Sequence, residues 1–131
     1  MRIIKIFLIL LFLGFSFIYL NYFSSFVMPW DRDEAIEAAL SWGKLDKLPK
    51  DADITNMEKR GSIFTRQFII EFTSSESEIK NWILKSKGFK GVEPEIKDGT
   101  KIYEIHPKDL QCYGGRVKIK GNTVYINMSW S

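Results

Sequence analysis

The side chains with the most reactive chemistry lie in one short segment in the last third of the chain. A nucleophilic thiol needs a base that removes its proton and a third group that orients the base. Cys112, His106 and Asp109 supply these three residue types, but a separation of six positions along a loop fixes no geometry between thiol and imidazole. A thiol enzyme that uses Cys112 and His106 is therefore an alternative, and the sequence favours a protein that is not an enzyme.

Metal and cofactor sites are not predicted. A closed zinc site usually takes four Cys or His ligands, and the chain has one of each. Asp31, Asp33 and Glu34 offer oxygen ligands to a hard cation, but helix capping explains their position better. The segment 113–115 (Tyr-Gly-Gly) is too short for a phosphate-binding loop and precedes a strand rather than a helix. We expect no metal and no cofactor.

Two cationic features have both a structural and a functional interpretation. Lys85, Lys87 and Lys90 form a cluster that suits anionic lipid or an envelope polymer, although solvated charge at a helix end is the commoner cause. Arg66 falls on the apolar face of an alternating run, where it needs a buried carboxylate or carbonyl partner, or a bulge that turns it outward. We expect structural pairing of Arg66, with binding of a ligand carboxylate or phosphate as the alternative.

The first twenty residues have the composition of a membrane span. Arg2 and Lys5 precede an almost unbroken apolar run from Ile6 to Leu20. The hydrocarbon core of a bilayer is about 30 Å thick and takes roughly 20 helical residues to cross, a length that Ile3 to Tyr22 supplies. A core helix that is apolar on every side would need more surrounding protein than this chain provides. The segment predicts a transmembrane helix.

A cleaved signal peptide would show the same basic start and apolar run. Its cleavage site requires small residues three and one positions before the cut, and no such pair follows Leu20. No Cys stands directly after the run, which excludes lipoprotein processing. We therefore expect an uncleaved signal-anchor with its exit segment over residues 1–29. The exit interface would hold the aromatic side chains of Tyr19, Tyr22, Phe23 and Trp30.

The charges that flank the span predict its orientation. Arg2 and Lys5 precede it, while Asp31, Arg32 and Asp33 follow it. The positive-inside bias places the N-terminus in the cytoplasm and residues 30–131 outside it. Without Arg2 and Lys5, 17 of the 19 basic residues remain against 16 acidic ones. This balance favours no nucleic-acid partner.

Residues 30–131 are long enough for one domain with a modest core. A first helix is predicted to start at a capping box of Asp31 and Glu34 and to end at Gly43. A second is predicted to start at Ser75, with Gly88 in a left-handed conformation after its end.

Alternation and turn signals predict the strands. Residues 64–72 alternate apolar and polar side chains, and residues 54–59 supply a partner strand. Asp98-Gly99 and Gly121-Asn122 mark two hairpins, and Pro94 predicts that the strand after it is short or lies at an edge. The predicted fold class is α+β: an N-terminal transmembrane helix followed by a small antiparallel sheet with two helices packed on one face.

Three stretches, Ala39–Leu45, Gly61–Phe68 and Val124–Ser131, carry a resemblance to a family. They are similar to small uncharacterised bacterial domains, membrane-anchored or secreted, with a G-S-(apolar)-F-T-R-x-F strand. In that family a helix resembling residues 76–85 follows, and the resemblance covers most of residues 38–131. It implies a place in the bacterial cell envelope and supplies no catalytic residue.

These observations predict a single-pass membrane protein whose extracytoplasmic domain has a non-enzymatic binding or structural role in the cell envelope. Its expected partners are the lipid bilayer, through the N-terminal helix, and another envelope protein. One alternative is an immunity or inhibitor protein that acts against a secreted enzyme or toxin. The other is the envelope thiol enzyme built on Cys112 and His106.

Overall fold

The computed structural model describes residues 1–61, 65–106 and 113–130, without the side chains of Tyr22 and Tyr113. The helices are α1 (Arg2–Tyr22), α2 (Arg32–Trp42) and α3 (Glu76–Lys85), with 3-10 turns at Pro29–Asp31 and Lys87–Phe89. The strands are β1 (Asp53–Gly61), β2 (Arg66–Thr73), β3 (Glu95–Lys97), β4 (Thr100–Ile105), β5 (Tyr113–Lys120) and β6 (Thr123–Trp130).

The six strands form one antiparallel sheet in the order β1-β2-β6-β5-β4-β3. Gly61 lies opposite Arg66, Arg66 opposite Trp130, and Trp130 opposite Tyr113. The end of β1, the start of β2, the end of β6 and the start of β5 therefore share one end of the sheet. We call this end, defined by Gly61, Arg66, Tyr113 and Trp130, the rim.

Helices α2 and α3 cover the same face of the sheet, as predicted. Alternate side chains of the central strands point towards them and are fully buried, including Ile70, Phe72, Val117, Val124 and Ile126. Aromatic rings continue this core in edge-to-face contacts, from Phe72 through Trp82 and Phe89 to Tyr103. Burial of the Tyr103 phenol raises its pKa because the low-dielectric core disfavours the charged form.

Helix α3 starts at the predicted cap. The backbone of Ser75 is extended, and its hydroxyl accepts a hydrogen bond from the Glu78 amide at 3.4 Å. The carboxylate of Asp51 accepts hydrogen bonds from the Ser74 hydroxyl and, at 3.2 Å, from the Ser75 amide. These donors lower the pKa of the Asp51 carboxyl, and the Ser74 hydroxyl has the largest effect. They do so because they stabilise the ionised form of the carboxyl.

The predicted capping box of α2 is wrong, although the helix does end at Gly43. Asp31 occupies the N-cap position, but its side chain caps no amide. Its backbone is helical, because it closes the 3-10 turn by donating its amide to Met28 at 2.9 Å. A capping side chain needs an extended backbone to reach the amides of the first turn.

The left-handed conformation predicted for Gly88 is also wrong. Lys44, at φ 50°, takes the left-handed conformation after α2. Gly88 is required for a different reason, since a Cβ there would lie 1.9 Å from the carbonyl oxygen of Gly43. The amide of Gly88 donates to Lys44 at 2.9 Å, so the two chain segments touch through their backbones.

The turn predictions hold. Asp98 and Gly99 both have positive φ between β3 and β4, as a two-residue hairpin turn requires. Gly121 has positive φ between β5 and β6. The three-residue strand β3 follows Pro94 and forms an edge of the sheet, as expected from a proline at that position.

Helix α1 is long and apolar enough to cross a membrane. Arg2–Asn21 has a mean hydropathy of 2.6, and the rest of the chain buries none of its most apolar stretch. A signal sequence at the N-terminus has the same length and composition.

Candidate basic pocket at the end of the apolar helix

The chain turns sharply after α1 because short polar side chains satisfy its last carbonyl groups. The Asn21 amide donates to Phe17 at 3.0 Å, and the Ser24 hydroxyl donates to Leu20 at 2.9 Å. The Ser24 hydroxyl also accepts from the Phe26 amide at 3.2 Å. Side chains of this type compete with helical hydrogen bonding and end a helix. The turn directs the following residues back towards the domain.

The exit segment, residues 23–29, lies against the edge strand β1. Phe26 forms an antiparallel bridge with Glu58, and the Lys59 amide donates to the Ser25 carbonyl at 2.9 Å. Val27 and Met28 are buried. No flexible linker therefore separates α1 from the sheet in this structure.

Aromatic side chains near this junction remain exposed. Trp30 stacks on Phe17 of α1 with ring centroids 6.2 Å apart, yet it is 64% exposed. Phe23 is 76% exposed. Exposed aromatic rings at one end of an apolar helix are typical of the interface between hydrocarbon and headgroups.

Lys59 connects β1 to the end of α1. Its ammonium donates to the carbonyl oxygen of Asn21, in the last turn of the helix. A cation near the last carbonyl groups also interacts favourably with the negative end of the helix dipole. Both the backbone and the side chain of Lys59 therefore hold the junction together.

Arg60 and Arg66 lie on either side of the turn between β1 and β2. Arg60 pairs with Glu58 at 3.0 Å, and its side chain is 60% exposed. Arg66 is exposed at the first position of β2, and no carboxylate in the described part of the chain lies within ion-pair distance of its guanidinium.

An open cavity of about 850 Å³ lies between the end of α1 and the rim. Lys59, Arg60 and Arg66 line it, and no carboxylate is among the described lining residues. Ile18 and Phe23 form an apolar wall, and Phe68 contributes from β2. Phe68 stacks on Trp42 of α2 with centroids 5.3 Å apart, so this wall is continuous with the core. We call this cavity the basic pocket.

The basic pocket has the chemistry of an anion site with an apolar side. Guanidinium and ammonium groups bind phosphate and carboxylate through charge-assisted hydrogen bonds. Lys59 and Arg66 lie on the face of Phe68, whereas Arg60 lies on the other face and pairs with Glu58. The two cations on the shared face repel each other, and an anion in the cavity would relieve that repulsion. The apolar wall suits a ligand that carries hydrocarbon next to its charge.

The structure gives the face and the exposure of Arg66. Its register places it on the face of Phe68, Ile70 and Phe72, as the alternation predicts. The expected buried carboxylate is not found among the described residues, because Arg66 lies at the rim, where the side chain reaches solvent. The described residues supply no carboxylate partner for Arg66, and both structural pairing and ligand binding stay predictions.

The predicted reactive trio is only partly described. Asp109 and Cys112 lie outside the described residues, as does Phe64 of the alternating run. The His106 side chain is 71% exposed and its Nε2 lies 3.9 Å from Oε2 of Glu104. The other Glu104 oxygen accepts hydrogen bonds from Arg116 at 2.6 Å. His106 thus lies beside an exposed ion pair, and the thiol enzyme stays a prediction.

The remaining candidate residues are spread over the surface. Lys85, Lys87 and Lys90 are exposed at the end of α3 and in the turn after it. Asp33 and Glu34 are exposed in the first turn of α2. Among the residues that the structure describes, no three His, Cys, Asp or Glu side chains come together as metal ligands.

Sequence reasoning did not identify Lys59 and Arg60 as members of a site. They stand in the strand before the turn, where alternating polar residues look like an ordinary solvated surface. Their grouping with Arg66 depends on the hairpin register and on the docking of residues 23–29. The one sequence signal was Arg66 itself, a cation on an apolar face.

Comparison of the chain with protein families, with curated proteins and with solved structures found no match.

Proposed function

We propose that this protein is a single-span membrane protein whose folded domain is held at the outer surface of a bacterial cytoplasmic membrane. The domain has a binding or structural role in the cell envelope. Helix α1 remains attached as a signal-anchor, with its N-terminus in the cytoplasm. The lipid bilayer is the first partner, and a second envelope component binds the domain.

The docking of the exit segment carries this proposal. A signal peptidase needs an extended, accessible chain after the apolar run, whereas residues 23–29 are bridged to β1 and contain the buried Val27 and Met28. Cleavage there would remove residues that complete the domain. Retention of α1 preserves the Lys59 hydrogen bond to Asn21 and the contact between Trp30 and Phe17.

The charge distribution supports the orientation. Arg2 and Lys5 stand at the start of α1, and Asp31, Asp33 and Glu34 stand just beyond the exit segment. Basic residues close to a span favour retention in the cytoplasm. The opposite end of the helix therefore crosses the membrane and carries the domain with it.

Fractionation of bacterial cells that express the full chain tests the proposal. We expect the protein in the membrane fraction after alkaline carbonate washing, with an intact mass of 15.3 kDa. Protease added to spheroplasts should degrade the domain without lysis. A shortened soluble product, or a full-length protein in the cytosol, would contradict the proposal.

A charge-reversed variant is the matched control for orientation. Arg2→Glu combined with Lys5→Glu leaves the apolar run unchanged but removes the positive-inside signal. We expect this variant to stay membrane-bound with a larger share of its domain protected from external protease. Unchanged protease sensitivity would show that the flanking charges do not set the orientation.

A further inference from the structure

We propose that the basic pocket binds the headgroup of an anionic phospholipid, with Arg66 as the principal phosphate ligand. This inference rests on the proposed function, because it takes α1 to be inserted in a bilayer. The basic pocket adds a second contact with the bilayer besides α1, and this second contact is selective for the charge of the lipid headgroup.

Arg66 has the geometry and the free donors that a phosphate ligand requires. A guanidinium presents five N–H donors in a planar fork that matches phosphate oxygens. Arg66 is exposed and lies beyond ion-pair distance of every carboxylate in the described ranges. Its donors are therefore available to a ligand that enters the pocket.

Lys59 supplies further positive charge on the face that it shares with Arg66. The Lys59 ammonium has three N–H donors, and one of them donates to the carbonyl oxygen of Asn21. The ion pair of Arg60 with Glu58 is exposed, and exposed ion pairs contribute little to stability. Arg60 lies on the opposite face of the hairpin beside Glu58, so Arg66 and Lys59 are the cations that face the ligand directly.

The pocket lies at the depth where lipid phosphates are found. Twenty helical residues span about 30 Å, the thickness of the hydrocarbon core, so Asn21 reaches the boundary with the headgroups. The lining extends from Ile18 to Ser25 along the chain, on both sides of this boundary. The exposed rings of Phe23 and Trp30 lie at the same end of α1.

The shape and lining of the pocket favour a lipid over a free anion. Its volume, about 850 Å³, is in the range of ligand sites and exceeds what one phosphate ion fills. Ile18, Phe23 and Phe68 would stay in contact with water around a bare ion, but they match the glycerol and first acyl carbons of a lipid. Lys59 and Arg66, without a carboxylate among the described lining residues, favour an anionic headgroup over a zwitterionic one.

Native mass spectrometry of the full chain in detergent micelles tests the inference. Phosphatidylglycerol or phosphatidylcholine is added at equal concentration, and the fraction of protein that retains one lipid is measured. We expect retention of phosphatidylglycerol in preference to phosphatidylcholine. Arg66→Gln should weaken phosphatidylglycerol binding about tenfold, because it removes charge-assisted hydrogen bonds. Arg66→Lys keeps the charge but loses the fork, and should give an intermediate value.

Arg116→Gln is the matched control, because Arg116 is an exposed arginine on β5 outside the pocket. We expect it to leave lipid retention unchanged. Equal loss in Arg66→Gln and Arg116→Gln would assign the effect to overall charge and overturn the inference. Wild-type retention in Arg66→Gln would overturn it too. Inorganic phosphate in excess should not displace the lipid, and displacement would make this a small-anion site.

Two further measurements distinguish loss of binding from misfolding, and failure of this inference from failure of the proposed function. Thermal unfolding without added lipid shows whether Arg66→Gln is folded, and Arg66→Lys decides the question if it is not. The micelle experiment uses the full chain with α1 attached, so its result does not depend on whether α1 is cleaved in cells. Loss of lipid selectivity with normal membrane retention would reject this inference alone, whereas a cleaved chain in cells would reject the proposed function.

Discussion

The covered face of the sheet and the junction between α1 and β1 are built on opposite principles. On the covered face, apolar side chains such as Ile70, Phe72 and Ile126 are fully buried and touch one another. At the junction, cations line an open cavity and large aromatic rings are exposed. The first region supplies stability, and the second leaves charged and aromatic groups accessible to a ligand.

The position of a side chain along one strand decides whether it is buried or exposed. Arg66 and Phe72 share one strand and one face, six residues apart. Phe72 lies under the helices, whereas Arg66 lies at the rim, where the cover ends. The same face therefore changes from a packed to an exposed surface along a single strand.

The largest expected effect comes from the covered face. Phe72→Ala would leave a cavity beside Trp82, whose ring contacts Phe72 at a centroid distance of 5.7 Å. We expect a loss of about 3–5 kcal/mol in the free energy of unfolding. Chemical denaturation of the full chain in micelles measures it. Arg66→Ala is the partner variant and should change stability by no more than about 0.5 kcal/mol. Equal losses would contradict the division into two regions.

A backbone contact on the covered face gives the second prediction. In Gly88→Ala the new methyl group would lie 1.9 Å from the Gly43 carbonyl oxygen. The chain must move to admit it, and we expect a loss of about 1–3 kcal/mol. Lys87→Ala, an exposed change in the same turn, should be nearly neutral. A Gly88→Ala variant as stable as Lys87→Ala would show that the two segments do not touch.

The junction gives a smaller effect. Lys59→Met keeps most of the aliphatic side chain but removes the hydrogen bond to Asn21 at the end of α1. We expect a loss of about 1 kcal/mol in the free energy of unfolding. Lys101→Met, at an exposed position on β4, is the control and should have less effect. An equal result for both variants would mean that the Lys59 side chain does not connect helix and sheet.

The smallest effect depends on pH. The folded-state pKa of Asp51 is lowered by the Ser74 hydroxyl and the Ser75 amide, so ionised Asp51 stabilises the fold. This contribution is complete above the ordinary Asp pKa, near 3.8, and is lost as the pH falls through the lower folded-state value. Asp51→Asn should therefore lower the melting temperature slightly at neutral pH, and the difference should shrink in acid. A difference independent of pH would exclude this explanation.

Much of the fold follows from local signals in the sequence. The hairpin turn at Asp98-Gly99 and the cap at Ser75 depend on neighbouring residues alone, and both predictions are confirmed. The expectations for Asp31 and Gly88 failed for different reasons, one local and one distant in the chain. Asp31 belongs to a 3-10 turn that starts at Pro29, and Gly88 meets a segment 45 positions earlier in the chain.

The candidate site was harder to predict, because it joins residues that are distant in sequence. Arg66 was conspicuous as a cation on an apolar face. Lys59 and Arg60 gained significance only when the register put them opposite Phe68 and Gln67, and when the exit segment closed one side of the pocket. No periodicity in residues 18–25 predicts that they fold back onto an edge strand.

Depth measurement in a bilayer tests most directly whether α1 and the domain act as one unit at the membrane surface. Single spin labels are placed at Arg60, next to the basic pocket, and at Ile96, on the opposite edge of the sheet, each in a Cys112→Ser background. Five strand spacings of about 4.8 Å separate the two edges. We predict that the label at Arg60 lies at headgroup depth in reconstituted vesicles and the label at Ile96 in bulk water. Equal and full exposure to a water-soluble relaxation agent at both positions would contradict the account.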